Sequence, residues 1–279
     1  MHNIKDIRKD LDFFKKKISE RNASINFDDL IILDKENREL IQQKEKKEQE
    51  KKLLSKSKEP TNFNKSKNLS KEIDEIAKNQ IILQHKITLI LSNIPNLARD
   101  EVPIGVDEKS NKMIKQNGSV KKFIFPIKSH IEIGEKNSQI DFKTSSKLSG
   151  SRFVILNSHF ALLERALINF MLDIHVNKFS YEEISPPLLV NENVMFGTGQ
   201  LPKFEEDQFE IRLNKGEERK FLIPTAEVVL TNLVRDSVLE PKNLPLRYVA
   251  STPCFRKEAG SYGKDTKGMM RQHQFYKVE

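Results

Sequence analysis

"STPCFRKEAGSYGKDTKGMMRQHQFYKVE", residues 251–279, sets two β-branched and aromatic runs on either side of a stretch punctuated by Gly260, Gly263 and Gly268. Runs of that kind bounded by glycine clusters pair as strands, so the stretch predicts two strands around a glycine-rich loop. Successive side chains of a strand point to opposite faces, which would place Arg256 and Glu258 together on one strand and Phe275, Lys277 and Glu279 together on the next. A guanidinium matches phosphate oxygens, an aromatic plane stacks a base, and a carboxylate anchors an amine or hydroxyl. Those are the needs of nucleotide-dependent carboxylate activation. A solvated Arg256–Glu258 ion pair and a core Phe275 satisfy the same spacing, so spacing alone leaves both readings open.

The residues before this hairpin continue the mixed texture. Short runs "KKFIFPI" (121–127), "HIEIGE" (130–135) and "RFVIL" (152–156) read as strands between turns. Phe160, Leu163, Leu167, Phe170, Met171 and Ile174 fall on one face of a helix. The double proline of "YEEISPPLLV" forces an extended segment, and "KFLIPTAEVVLTNLVR" (220–235) reads as strand, turn and helix. Strands and helices outside a regular βαβ rhythm predict an α+β fold, an antiparallel sheet flanked by helices.

Further toward the N-terminus the texture is helical. Residues 28–58 lack Gly and Pro before Pro60, with Asp28 or Asp29 as expected N-cap. Their seam carries Leu30, Leu33, Leu40 and Leu54 but also Asn37, Lys44, Lys47 and Lys51. After "KEPTNFNKSKN", Leu69, Ile73, Ile76, Gln80, Leu83, Ile87 and Ile90 make a coiled-coil stripe. The expectation is an antiparallel helical hairpin over about 28–92, ended at Ile94-Pro95. A boundary near Pro103 would then separate an N-terminal arm, 1–103, from a core, 104–279.

Charged residues are 32% of the chain against 37% hydrophobic, with a net charge of +8, a balance that favours a polyanionic partner such as nucleic acid but fits a lysine-rich solvated surface equally. No run approaches the ~18 apolar residues that span a bilayer, and the N-terminus has neither an apolar leader core nor transit character. A cytoplasmic location with no membrane partner is expected. Cys254 is the only cysteine, which excludes an internal disulfide and a cysteine-rich zinc site and suggests a buried thiol on a strand. His130 and Glu132 could suggest a metal pair, but no third ligand is near and a structural histidine is expected; no metal site is expected in the chain. His85 reads as a solvated position of the coiled coil, and the role of His273 stays open.

"TPCFRKEAG", "RQHQF" and "KVE" together resemble motif 2 of the class II aminoacyl-tRNA synthetases in the form found in seryl-tRNA synthetases. "HIEIGE", "SGSRF", "MFGTGQLPKF", "IPTAEV" and "LPLRY" resemble stretches of that family in the same order, and the 160–176 helix with "ISPP" resembles motif 1, its dimer-forming element. The opening residues, the helical hairpin and "NIPN" resemble the family's N-terminal arm, so the likeness covers essentially all 279 residues. It implies a serine–tRNA ligase that activates serine with ATP to seryl-adenylate and transfers it to tRNA(Ser), a homodimer. By position, Arg256 would hold the α-phosphate and act in catalysis; Glu258, Gln272 and Phe275 would complete the ATP site; Thr225, Glu227 and Glu279 would bind serine. Lys44, Lys47 and Lys51 on the arm, with Lys264 and Lys267 in the motif 2 loop, would meet tRNA. The family's third motif has no counterpart by residue 279. Mg²⁺ is expected, with ligands beyond that point, and residues 1–279 alone are expected to be inactive. Two other readings remain: a non-catalytic RNA-binding synthetase-like protein, and an amino acid ligase acting on a carrier protein.

Overall fold

Side-chain caps set where the first helices begin. The computed structural model describes residues 1–55, 60–214, 218–259 and 268–279, and the chain divides into two compact units, Met1–Gly118 and Ser119–Glu279. In the first unit, Asn3 accepts from the Lys5 N–H, Asp10 from Phe13 and Asn26 from Asp29, starting α1 (Ile4–Lys9), α2 (Leu11–Ser19) and α3 (Phe27–Leu54). The cap of α3 is therefore Asn26, not Asp28 or Asp29; those two sit in the first turn, where their charge meets the positive end of the helix dipole. The helix α4 (Pro60–Asn93) opens on proline, whose missing N–H is no loss in a first turn, and stops just before Ile94-Pro95 as expected.

The α4 stripe turns inward: Leu69, Ile76, Gln80 and Ile87 are buried, and Ile73, Leu83 and Ile90 half-buried. Lys47 near the far end of α3 pairs with Glu72 at 2.5 Å, whereas Phe27 and Leu30 at its start share a core with Ile87, Leu91 and Ile94. The two helices therefore run antiparallel. Ile7, Phe14 and Ile18 from α1 and α2 complete that core, a base for the hairpin that the sequence reading did not resolve. Asp34 is buried there. A buried carboxylate needs partners: Arg38 Nε donates at 3.2 Å, and Arg8 Nε lies 3.2 Å away as an ion pair that is not aligned as a hydrogen bond.

The second unit runs α5 (His130–Lys136), β1 (Ile140–Asp141), α6 (Phe142–Ser149), β2 (Ile155–Leu156), α7 (His159–Phe179), β3 (Glu182–Glu183), β4 (Leu189–Asn191), α8 (Glu192–Gly197), β5 (Glu210–Ile211), β6 (Lys220–Leu222), α9 (Glu227–Asn232), β7 (Tyr248–Val249), β8 (Ser251–Phe255) and β9 (Gln274–Val278). Strands β4, β6 and β5 form an antiparallel sheet in that order, β8 pairs antiparallel with β9, β1 with β2, and β3 lies parallel to β7. Two of the expected strands are absent. "HIEIGE" is helix α5, because Ser129 and Glu132 form a reciprocal capping box. "KKFIFPI" is irregular, with Ile124 and Ile127 exposed and no strand beside it among the described residues.

The core of this unit gathers Val190, Met195, Leu201, Phe221, Ile223, Val228 and Val229 between β4, β6, α8 and α9. It fixes the end of β6 and the start of α9, the turn Pro224-Thr225-Ala226. Phe255 N–H donates to Ile223 O at 2.9 Å, which ties β8 to that turn. By contrast α7 has no buried residue: Leu163, Leu167 and Phe170 are 51%, 48% and 60% exposed. Of its expected apolar face, Phe160 and Ile174 are half-buried while Leu163, Leu167, Phe170 and Met171 remain exposed among the described residues. No described helix is long and apolar enough to cross a membrane.

Candidate functional site

Strands β8 and β9 are in register from Ser251 opposite Val278 to Phe255 opposite Gln274, and Ala250 and Glu279 exchange backbone hydrogen bonds just past that end. Alternation then puts Phe275, Lys277 and Glu279 on one face of β9, as expected. Cys254, opposite Phe275, is fully buried and unpaired; burial pushes its thiol pKa up, which makes it inert rather than nucleophilic.

Arg256 continues from β8 and turns its guanidinium over the Phe275 ring, 5.3 Å from the centroid. Its Nε donates to Pro224 O at 3.2 Å, so the guanidinium is steered from the turn between β6 and α9. His273 settles its own role: its Nδ1 hydrogen-bonds the Arg256 carbonyl at 2.9 Å, which makes Nδ1 the donor, and its ring packs against Phe153 and Phe209.

Glu258 corrects the sequence reading. It is not on the strand face of Arg256, because β8 ends at Phe255 and Glu258 has φ 51°. That left-handed conformation costs about 1–2 kcal/mol for a residue with a Cβ. Its carboxylate instead meets Arg271 Nη1 at 3.1 Å. Arg256, Glu258 and Arg271 nevertheless line one cavity of about 320 Å³, together with Asp207, Gln208 and Phe204. Two guanidiniums in one concavity suit a polyphosphate better than any neutral ligand.

A second constellation lies along the same face of β9. Thr225 Oγ1 donates to Glu279 Oε2, the Glu227 N–H donates to the same oxygen at 3.2 Å, and Lys277 Nζ reaches Thr225 Oγ1 at 2.9 Å and Glu279 Oε1 at 2.7 Å. Burial acts to raise the Glu279 pKa, but the bonds from Lys277, Thr225 and the Glu227 N–H outweigh it and hold the carboxyl below the usual range. Thr225 is buried, while the Glu227 side chain is exposed. Gln272 is buried, and its Nε2 has no partner among the described residues.

The remaining expected residues are dispersed. Lys44, Lys47 and Lys51 lie half-buried along the seam of the hairpin rather than on its outer face; Lys264 and Lys267 lie outside the described residues. His85 is exposed, as expected. His130 Nε2 accepts the Met269 N–H at 2.9 Å. Among the described residues no three His, Cys, Asp or Glu converge as metal ligands. Glu258 and Asp207, the acids of the cavity, already face Arg271 and the Ala259 N–H, so the donor set does not fit a resident ion. Sequence reasoning missed Arg271, Asp207 and Arg152, and placed Lys277 on the right face without giving it a role. Only Lys277 carried a signal, its shared parity with Phe275 and Glu279.

A strand pair that aims a guanidinium, a ring and a carboxylate at neighbouring positions, in an α+β unit accompanied by a helical hairpin, defines a class II aminoacyl-tRNA synthetase core with an N-terminal arm. Residues 207–279 match the family model for the tRNA synthetase class II core domain (G, H, P, S and T), and residues 1–98 match that for the seryl-tRNA synthetase N-terminal domain. A serine–tRNA ligase of Pelagibacter ubique (strain HTCC1062) is 56% identical over 279 residues, the whole chain and 67% of that protein. The serine–tRNA ligase of Ehrlichia canis (strain Jake) is 43% identical over the whole chain and 67% of its own length. The crystal structure of seryl-tRNA synthetase from Pyrococcus horikoshii complexed with ATP superposes with TM-score 0.81 at 31% identity, covering 100% of this chain and 68% of that one. The chain belongs to the seryl-tRNA synthetase family.

Proposed function

We propose that this protein activates serine with ATP and transfers the seryl group to tRNA(Ser), with the core, 104–279, performing activation and the arm, 1–103, binding tRNA. The observation that supports it best is the placement of Arg256 over Phe275, on the same face of β9 that carries the Thr225–Glu279–Lys277 cluster. ATP lies with adenine toward Phe275 and its phosphates toward Arg256 and Arg271. Glu258 and Gln272 complete that pocket. Glu279, kept ionised by its neighbours, receives the serine ammonium, and Thr225 and Glu227 bound the same pocket. A serine carboxylate oxygen then bonds to the α-phosphorus as the bond to the β-phosphate oxygen breaks and pyrophosphate leaves. Arg256 draws off charge that develops on the α-phosphate. Mg²⁺, the usual companion of ATP in class II synthetases, would add charge neutralisation. In the second step the terminal tRNA hydroxyl attacks the seryl carbonyl and AMP departs.

A buried site made to hydrogen-bond a hydroxyl leaves groups unpaired when alanine enters, a penalty of about 1–3 kcal/mol per group. Lys264 and Lys267 supply positive charge along the RNA path, with Lys44 and Lys51 contributing from the hairpin seam and Lys47 largely neutralised by Glu72; α7 is the homodimer face; the cytoplasm is the site of action. Serine-dependent ATP–pyrophosphate exchange tests the central reading. Because the chain spans about two thirds of the length of its relatives, the assay is run on residues 1–279 joined to the remaining third of the Pelagibacter ubique relative. Exchange should depend on serine and fall by about 100-fold or more in Arg256→Ala, the scale of removing one oxyanion-stabilising donor. Exchange unchanged by Arg256→Ala would reject the assignment.

A further inference from the structure

We propose that Asp207, assisted by Arg152, is a positioning residue of the nucleotide site: it holds Glu258 in its left-handed turn and so directs that carboxylate to Arg271 and away from Arg256. The inference rests on the reading of Arg256 as the phosphate-binding group. If β8 simply continued, Glu258 would stand two residues from Arg256 on the same face, the nearest carboxylate to the guanidinium, and the two would neutralise each other. The chain avoids that pairing at Glu258 by a backbone conformation that a side chain disfavours and that persists only where the surroundings hold it.

The holding contacts are identifiable. The Lys257 N–H donates to the Asp207 carbonyl at 2.8 Å, and the Ala259 N–H donates to Asp207 Oδ1 at 2.8 Å. From the other side Arg152 Nη1 donates to the Glu258 carbonyl at 3.0 Å and lies 3.4 Å from that of Lys257. The polar backbone on both sides of Glu258 is thereby engaged, and charged partners make such bonds stronger than neutral ones. Asp207 is itself fixed in a single turn, Glu205–Asp207, by its N–H to Phe204 O at 3.1 Å, and Glu205 is anchored to Arg219. The outcome is the 3.1 Å Glu258–Arg271 pair. Arg256, stacked over Phe275, makes its one side-chain hydrogen bond among the described residues through Nε to Pro224, which leaves its two Nη groups available to a phosphate. Nothing in "FEEDQF" signals this, because the partners lie some fifty residues apart in sequence.

Two measurements decide it: hydrogen–deuterium exchange of the Ala259 amide in residues 1–279, and the ATP affinity of the joined protein described above. Asp207→Ala should speed Ala259 exchange and weaken ATP binding by about tenfold each, the scale of one charge-assisted hydrogen bond. Asp207→Asn, which keeps the accepting oxygen, should restore both to within about twofold. In a Glu258→Ala background, Asp207→Ala should change ATP affinity by less than about twofold, since residues acting through one another are non-additive. If Asp207→Ala does not fold, Arg152→Gln takes its place in the same cycle. An Asp207→Asn variant as impaired as Asp207→Ala, or a full additive loss in the Glu258→Ala background, overturns the proposal. Absence of ATP binding by the unsubstituted joined protein would instead reject the functional reading, and Ala259 exchange would still decide the role of Asp207.

Discussion

Glu279 shows how one carboxylate links site chemistry to pH. Its folded pKa lies below the ordinary value because Lys277, Thr225 and the Glu227 N–H prefer it charged, against the effect of burial. A depressed acid stabilises the fold above its unfolded pKa, about 4.3, and that contribution is lost as pH falls through the lower folded value. Thermal unfolding between pH 6 and 3 should therefore show an acid limb that flattens in Glu279→Gln; an unchanged limb would mean the cluster contributes nothing. The shared face of Phe275, Lys277 and Glu279 was legible from strand parity, which left the direction of Arg256 open. The turn at Glu258 was not, because "RKEA" contains neither Gly nor Asn, the residue types that announce a left-handed position. Asp207 and Arg152 impose it from outside the hairpin.

Elements were legible where apolar spacing was long. The α4 stripe ran unbroken over six turns and fixed both the helix and the face it buries. Short α5 was misread because "HIEIGE" alternates like a strand, and the local capping box overrides that alternation. The seam lysines carry a different lesson: Lys47 faces α4 and pairs with Glu72, and the bond to that carboxylate raises its pKa despite some desolvation. The outer part of the described hairpin thus adds the Lys47–Glu72 pair, which salt weakens, to buried Leu69 and Ile76, whereas its base is a larger apolar core. Removing residues 35–85 leaves that base core, Ile7 to Leu30 and Ile87 to Ile94, intact. In the joined protein described above the deletion should weaken tRNA(Ser) binding at least tenfold and leave serine-dependent exchange within about twofold; an equal loss of both would contradict the division of labour between arm and core. Binding through the arm should also fall steeply with salt.

At the scale of the whole molecule, the uncovered face of α7 is the clearest unmet demand. Monomeric proteins seldom leave several large apolar side chains together in water, and α7 presents Leu163, Leu167 and Phe170 at about half exposure or more. If α7 joins two copies, Leu167→Asp should convert a dimer to a monomer in sedimentation velocity while leaving circular dichroism unchanged; a dimer that survives the substitution would remove α7 from the interface. The +8 net charge works against self-association, so the dimer should tighten as salt screens it. One last property follows from the only thiol in the chain. Cys254 is sealed between β8 and its neighbours, so a sulfhydryl reagent can reach it only when those strands come apart. The rate of its labelling is a clock for that opening, and a nucleotide that binds across Arg256 and Phe275 must slow the clock by the factor with which it favours the closed form.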